Sequence, residues 1–368
     1  MLITRSPVRI SFGGGGTDLP AYYQQFGGAV LSTAINKYFY TVLRKRGDGK
    51  IQVISSDLRT LETWENIRSM SFERSELEIP LAVVKDVGRD ISVDLFLASE
   101  IPPGTGLGSS ASVCVNVLKA LAAYLRLPLS KYDLAERAFH VARNVLGNPV
   151  GKQDEYGAAF GGLNYIRFGR DGTVTVEPVV LDSTLLAELE DNLMLFFTGA
   201  THQSTTILEE QERSTRQDSG RAVASLHTIA ELADRMRGTL EDGDLHKFGM
   251  LLDEGWQAKK AISGKISSEQ IDMLYGIAKE NGAVGGKITG AGGGGFLLLY
   301  CERQHQDAVR QGLTAASARE MTFRFDSKGA QVIVNDPFID GDETAGGSWQ
   351  FIPYAVASRT AGDLSWDG

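Results

Sequence analysis

Apolar and polar positions along this chain switch between a two-residue and a helical period, and the switches mark out its elements. Leu2–Phe12 mixes strand formers with Arg5 and Arg9 and breaks at Gly13-Gly14-Gly15-Gly16. Val30–Arg44 and Ile51–Ser55, rich in β-branched and aromatic residues, predict strands either side of the turn Gly47-Asp48-Gly49. In Asp90–Ala98, residues Ile91, Val93, Leu95 and Leu97 share one face, as in a half-buried strand. Gly161–Phe168, Thr173–Val180, Leu193–Phe197, Phe296–Tyr300 and Ala330–Val334 complete the predicted strands.

Ala111–Leu125 predicts a long Ala/Leu/Val helix. A second covers residues 130–146, with Ser130 as N-cap, Asp133 three residues on, and a stop at Asn148-Pro149. From Gln203 to about Lys260 the pattern is helical and highly charged, and Glu209–Arg216 reads most simply as a solvated face. Glu269–Asn281 is a helix ending at Gly282. The pattern is that of an α+β protein with expected domains at 1–188 and 189–340. A Gly/Ala/Ser/Asp-rich tail, 341–368, is expected to be extended.

Composition narrows the function. A chain of 368 residues, 42% hydrophobic and 23% charged, has the composition of a soluble globular protein, which argues against extended disorder. The net charge of -9 argues against a nucleic-acid partner, which calls for clustered Lys and Arg. No apolar run approaches the roughly 18 residues of a membrane span, and the N-terminus lacks the apolar core of a secretory signal. Two cysteines, Cys114 and Cys301, both in apolar runs, fit a reducing compartment, so a cytoplasmic protein is expected. Glycine is the outlier, at 42 residues.

Three glycine-rich loops hold the chemistry. In the middle one a strand leads through Gly104, Gly106 and Gly108 to Ser109-Ser110 and a helix, the arrangement that aims backbone N–H groups and a helix N-terminus at phosphate. No Lys precedes the serines, so it is not a Walker A loop. The C-terminal loop, Lys287 to Gly295, contains G-x-G-x-x-G at Gly290, Gly292 and Gly295. With a helix predicted before it and a strand after, its context is inverted for dinucleotide binding. A backbone collar carrying a Lys and a Thr remains. The N-terminal loop ends in Gly16-Thr17-Asp18, a carboxylate suited to vicinal hydroxyls or, equally, to capping a turn.

Together the loops resemble the three motifs of the GHMP small-molecule kinases: Arg5 to Asp18, Pro103 to Ala111 and Lys287 to Gly295, in that order. The GGGGTD form of the first, with Gly151-Lys152-Gln153-Asp154-Glu155-Tyr156, is similar to the sugar-1-kinase branch, whose heptose 7-phosphate kinases it matches best. The resemblance implies a ribosomal-S5-like N-terminal domain and a ferredoxin-like C-terminal domain. ATP and Mg²⁺ would meet a sugar or sugar phosphate between them, and phosphate would pass to the anomeric hydroxyl, with heptose 1,7-bisphosphate as the expected product.

It also implies roles. Asp154 orients or deprotonates the acceptor, and Arg9 pairs with it and offsets charge on the moving phosphoryl. Pro103, Gly104, Gly106, Leu107, Gly108, Ser109 and Ser110 hold the nucleotide, with Ser110 also on the metal. Gly15, Gly16, Thr17, Asp18, Thr289, Gly290 and Gly292 face the substrate, and Lys287 meets a substrate phosphate if it faces the cleft. Two departures stand out. Ala142 sits where many relatives have a metal-binding Glu, with Glu136 off that face and Glu155 a possible substitute. His202 follows Thr198-Gly199, where an Arg is usual, which weakens the case for a phosphorylated acceptor. A fucose or hexose acceptor, an amino-acid or isoprenoid alcohol, and a non-catalytic binding relative remain as alternatives.

Overall fold

The computed structural model describes residues 1–200, 204–217 and 220–336, so the tail and His202 lie outside the described residues. In chain order the first half runs β1 (Leu2–Gly13), α1 (Pro20–Phe26), β2 (Gly28–Lys45), β3 (Ile51–Ser55), β4 (Thr60–Trp64), α2 (Glu78–Val87) and β5 (Val93–Ser99). It continues with α3 (Ser109–Tyr124), α4 (Lys131–His140) with a π-helical turn at Val141–Val145, α5 (Gln153–Phe160), β6 (Leu163–Phe168) and β7 (Val174–Pro178). The second half runs α6 (Ser183–Asn192), β8 (Leu193–Phe197), α7 (Ser204–Arg216), α8 (Gly220–Glu241), α9 (Leu245–Lys260) and α10 (Glu269–Glu280). It ends with β9 (Gly285–Ile288), β10 (Phe296–Tyr300), α11 (Arg303–Ala315), β11 (Arg319–Glu320) and β12 (Gln331–Asn335).

The eighteen residues of β2 organise the larger sheet. Its first half pairs with β6 and its second half with β5, while β1 runs antiparallel along both. The order is β12-β1-β2-β5-β3-β4, with β6 and β7 beside the first half of β2, and only β3 and β5 are parallel. Sequence placed the strand Ala330–Val334 in the expected domain 189–340. In the structure β12 returns to the larger sheet, where β1 offers an edge with free backbone groups. The second sheet, β11-β8-β10-β9, is antiparallel throughout.

Three apolar layers hold these parts together. Helices α2 to α5 cover one face of the larger sheet, packing Leu81, Val84, Val117, Leu121 and Leu134 on Val53 and Leu95. On its other face Val8, Ile10 and Phe12 of β1 meet Met236 of α8, Phe248 of α9 and Leu298 of β10. The second sheet lies between this layer and α10 and α11. Leu298 and Tyr300 point into one core and Leu297 and Leu299 into the other, which is why β10 is an unbroken apolar run. The predicted capping box at Ser130 and Asp133 opens α4. The predicted solvated face on α7 holds for Glu209, Arg213 and Arg216, which are exposed, but the helix also has a buried side. Gln211, Glu212 and Thr215 are buried, and the Glu212 charge is compensated there by Arg143, which donates to it at 2.5 and 3.0 Å, and by Arg216 at 2.6 Å.

Helix α9 lies close to the second sheet because glycines face each other there. A methyl on Gly285 would stand 2.0 Å from the Gly249 carbonyl oxygen, and one on Gly249 would stand 2.4 Å from the Tyr300 ring. Gly285→Ala is expected to cost about 1–3 kcal/mol by overpacking. Gly276→Ala in α10, with nothing within 4 Å of the added methyl, is expected to gain about 0.5–1 kcal/mol of helix stability. Thermal unfolding of the two variants checks the pair, which should move in opposite directions.

Candidate active site

Arg9 leaves β1 at the point where the three glycine-rich loops converge. Its side chain is buried, with Nε donating to Asp154 Oδ1 at 2.7 Å and Nη2 within 2.5 Å of the same oxygen. Nη1 donates to the Gly106 carbonyl at 2.8 Å, and the Arg9 backbone N–H donates to Leu107 O. One guanidinium thus fixes the carboxylate relative to the middle loop through charge-assisted bonds. Asp154 stands in the first turn of α5, not in a loop. With Oδ1 engaged by Arg9, Oδ2 faces the middle loop, where a methyl on Gly108 would come within 3.2 Å of it.

The N-terminus of α5 is set by Lys152, whose buried ammonium donates to both oxygens of Glu136, at 2.7 and 3.0 Å, and to Gly172 O. Glu136 also accepts from Tyr156. It is committed to this pairing and does not line the cavity. Ala142 does.

Asp18 links the first loop to α5. Its Oδ1 accepts from Gly16 N–H at 2.8 Å and from Gln153 Nε2 at 3.3 Å, and its Oδ2 from Gln153 N–H at 3.2 Å. Burial raises its pKa, and the nearby Asp154 charge adds to the rise. Gly151 is required here because a methyl would stand 2.0 Å from Asp18 Oδ2.

The middle and C-terminal loops interlock backbone against backbone, with the Thr289 hydroxyl donating to Thr105 O between them. A methyl on Gly106 would lie 2.4 Å from Thr289 O, one on Gly290 2.5 Å from Gly106 Cα, and one on Gly295 2.3 Å from Thr105 O. Gly104, Gly106 and Gly108 all have positive φ, and Gly108 caps α3 with no side-chain acceptor on its first-turn N–H groups. The third loop proves to be the turn between antiparallel β9 and β10. A strand does precede it, contrary to the sequence expectation, but no helix follows, so it cannot serve as a dinucleotide loop. Gly295 is further tied to the second half by Thr198, which donates to its carbonyl, and by its own bond to Ala200 O.

These elements enclose a cavity of about 870 Å³. Of the residues singled out by sequence, Arg9, Gly15, Gly16, Asp18, Pro103, Gly104, Gly106, Gly108, Ser109, Ser110, Asp154, Lys287 and Gly290 line it. Four do not. Thr17 is fully buried, its hydroxyl shared between Gly14 O and Ala29 O while accepting from Ala29 N–H, so it braces the first loop. Thr289 spends its hydroxyl on Thr105 O, Leu107 is in the core, and Gly292 packs on Ile266. Lys287 reaches the wall but donates to Ser11 O and Phe12 O, and burial holds its pKa well below the usual lysine value.

Sequence reading missed Ser11, Gln153, Gln211 and Lys259, which also line the cavity. Ser11 Oγ, Gln153 Oε1 and Gln211 Nε2 are buried there without partners among the described residues, as is Glu155 Oε2. Burial, then the Asp154 charge, pushes the Glu155 pKa well above the ordinary value. For a divalent cation the donors fit in kind. The Ser110 hydroxyl and an unpaired Glu155 carboxylate oxygen, only 2% exposed at the residue, are the hard oxygen ligands Mg²⁺ takes alongside substrate phosphates. Among the described residues no cluster of three His, Cys, Asp or Glu stands ready to hold a metal alone. Nor is any helix there long and apolar enough to cross a membrane.

Residues 78–162 match the family model of the GHMP kinases N terminal domain, and residues 236–318 that of the GHMP kinases C terminal domain. The chain is 31% identical over 333 residues to D-glycero-alpha-D-manno-heptose 7-phosphate kinase of Campylobacter jejuni, spanning 89% of this chain and 97% of that protein. Among solved structures, a D-glycero-D-manno-heptose 1-phosphate kinase from Bacteroides thetaiotaomicron superposes with TM-score 0.78 at 27% identity, covering 92% of this chain and 100% of that one. A putative sugar kinase from Campylobacter jejuni superposes with TM-score 0.74 at 31% identity, covering 90% and 97%. The chain belongs to the GHMP kinase family, with that family's two-domain α+β fold, and is a phosphotransferase that moves phosphate from ATP to an alcohol group.

Proposed function

We propose that this protein is a sugar kinase that phosphorylates an anomeric hydroxyl, with D-glycero-D-manno-heptose 7-phosphate the first acceptor to test. The observation that carries the reading is the position of Asp154, held by Arg9 with one oxygen free, between the phosphate-type loop and the Gly15–Asp18 loop inside one cavity. The polar surroundings favour a sugar. Ser11, Asp18, Gln153 and Gln211 offer donors and acceptors to several hydroxyls, where an isoprenoid alcohol would want apolar lining.

In this reading the first-turn N–H groups of α3 and the loop from Pro103 to Gly108 hold the triphosphate of ATP. Asp18, Gly16 and Gln153 hold the sugar. The anomeric oxygen donates its hydrogen bond to Asp154 Oδ2. As that oxygen forms a bond to the γ-phosphorus, the bond from phosphorus to the β,γ-bridging oxygen breaks, ADP leaves, and the sugar's proton passes to Asp154. Arg9 stays paired with the carboxylate and adds positive charge beside the transferring group. Ser110 and Glu155 are the residues that would hold Mg²⁺, which would neutralise phosphate charge.

Two heptose kinases among the relatives carry names that differ over the phosphate's position, 7-phosphate in one and 1-phosphate in the other. An ADP-release assay across heptose 7-phosphate, heptose 1-phosphate, fucose, mannose and galactose separates these acceptors. Turnover should be greatest with heptose 7-phosphate, and absence of turnover with any sugar overturns the reading. Asp154→Asn should lower kcat by about 10²–10⁴-fold while nucleotide binding, followed by calorimetry, is retained. Ser110→Ala should raise the Mg²⁺ concentration needed for half-maximal rate, with little change in affinity for metal-free nucleotide.

A further inference from the structure

Lys259 is a buried cation in the cavity wall whose hydrogen-bonding capacity the protein around it leaves largely unused. It stands in the last turn of α9, is 7% exposed, and lines the cavity beside Gly15, Lys287 and Gly290. Its ammonium has three N–H donors, yet among the described residues its one acceptor is the Gly290 carbonyl. No carboxylate closes an ion pair with it. Of the acids within electrostatic reach, Asp18 accepts from Gly16 and Gln153, and Asp154 is paired with Arg9 through Oδ1 while its Oδ2 faces the middle loop. A buried cation held by a single carbonyl is unfavourable unless an anion completes its shell.

We infer that Lys259 is a phosphate-binding residue of this active site, donating to a phosphoryl oxygen that sits between the Gly290 collar and the Arg9–Asp154 pair. This rests on the kinase reading above and extends it by naming the cation on the acceptor side of the transfer. Position favours the transferring phosphoryl as the source of that oxygen. Gly290, which accepts from Lys259, packs directly on Gly106 of the phosphate-type loop, and Arg9 donates to that same Gly106. A phosphate already on the sugar offers the same chemistry from the other side.

The groups facing the ammonium are Arg9 from β1, Asp18 from the first loop, Asp154 from α5 and Lys287 from β9. Burial first, and then the Arg9 charge, lowers the Lys259 pKa to about 8. A lowered lysine pKa means the charged form is present below about pH 8 and lost above it. Affinity for a phosphoryl group should therefore fall as pH rises through that value.

The test compares the full-length wild type with Lys259→Gln and Lys259→Arg, titrated by calorimetry with inorganic tripolyphosphate and separately with mannose 6-phosphate at pH 7 and pH 9.5. Weaker binding of tripolyphosphate by Lys259→Gln, with Lys259→Arg holding on and no longer losing affinity at pH 9.5, supports the inference with the transferring group as source. The same pattern confined to mannose 6-phosphate supports it with the acceptor's phosphate as source. Unchanged affinity of Lys259→Gln for both probes overturns it, as does a loss of binding that tracks a lower Tm and is not rescued by Arg, which would make Lys259 only a brace for Gly290. In turnover the transferring-group source predicts that Lys259→Gln lowers kcat about 100-fold with every acceptor the wild type uses. A wild type with no turnover on any sugar removes the kinase reading and leaves the phosphate titrations to decide Lys259.

Discussion

The guanidinium of Arg9 donates to a carboxylate on α5 and to a carbonyl in the middle loop, and the site is arranged around that junction. Each partner comes from a different part of the chain, and each needs the others to be placed. The carboxylate would otherwise swing free, and the Gly106 carbonyl would be one more polar group in a crowded loop. Burial of Arg9 strengthens these charge-assisted bonds relative to their worth in open water. The free oxygen of Asp154 and its position beside the middle loop follow from this one side chain being fixed at its far end.

Support for the junction comes from three directions. Lys152 and Glu136 hold the start of α5 by a pairing that also involves Tyr156. Asp18 ties the first loop to that same helix start. The hairpin of β9 and β10 brings the third loop down onto the second, with the Gly249–Gly285 contact setting how close α9 approaches. Because β12 returns to pair with β1, the second half is joined to the larger sheet at both of its ends. The two halves are therefore held by two chain connections rather than one.

Much of this was legible in the residues. The three loops announce themselves by glycine density and order, and β1, β2, β8 and β10 by β-branched and apolar runs. The capping box at Ser130 is local chemistry and was read correctly. What escaped depends on partners distant in sequence. α11 has little to show on its own, burying chiefly Val309 and Leu313, and α2 was hidden in a stretch with no strong start signal. Glu212 looked solvated because Arg143, which neutralises it, lies about seventy residues earlier. Thr17 and Thr289 were expected to face substrate, since a hydroxyl beside a glycine run suits both binding and bracing, and only the positions of Ala29 O and Thr105 O decide for bracing. Lys259 read as the charged end of a charged helix. The signal that could have found it is periodic: it falls seven residues after buried Leu252 and three after buried Trp256, on the inward side of α9.

The interlocked glycines have a consequence for how such a chain can change over generations. Gly106, Gly290 and Gly295 each exclude a side chain because the facing loop's backbone occupies that space. A first replacement that forced the loops apart would already have opened the room a second one needs, so the two penalties should not simply add. Drift at these positions is therefore epistatic in its steric part alone: each of these glycines also has a positive φ, so a lineage that survived the first step would still meet backbone strain at the next.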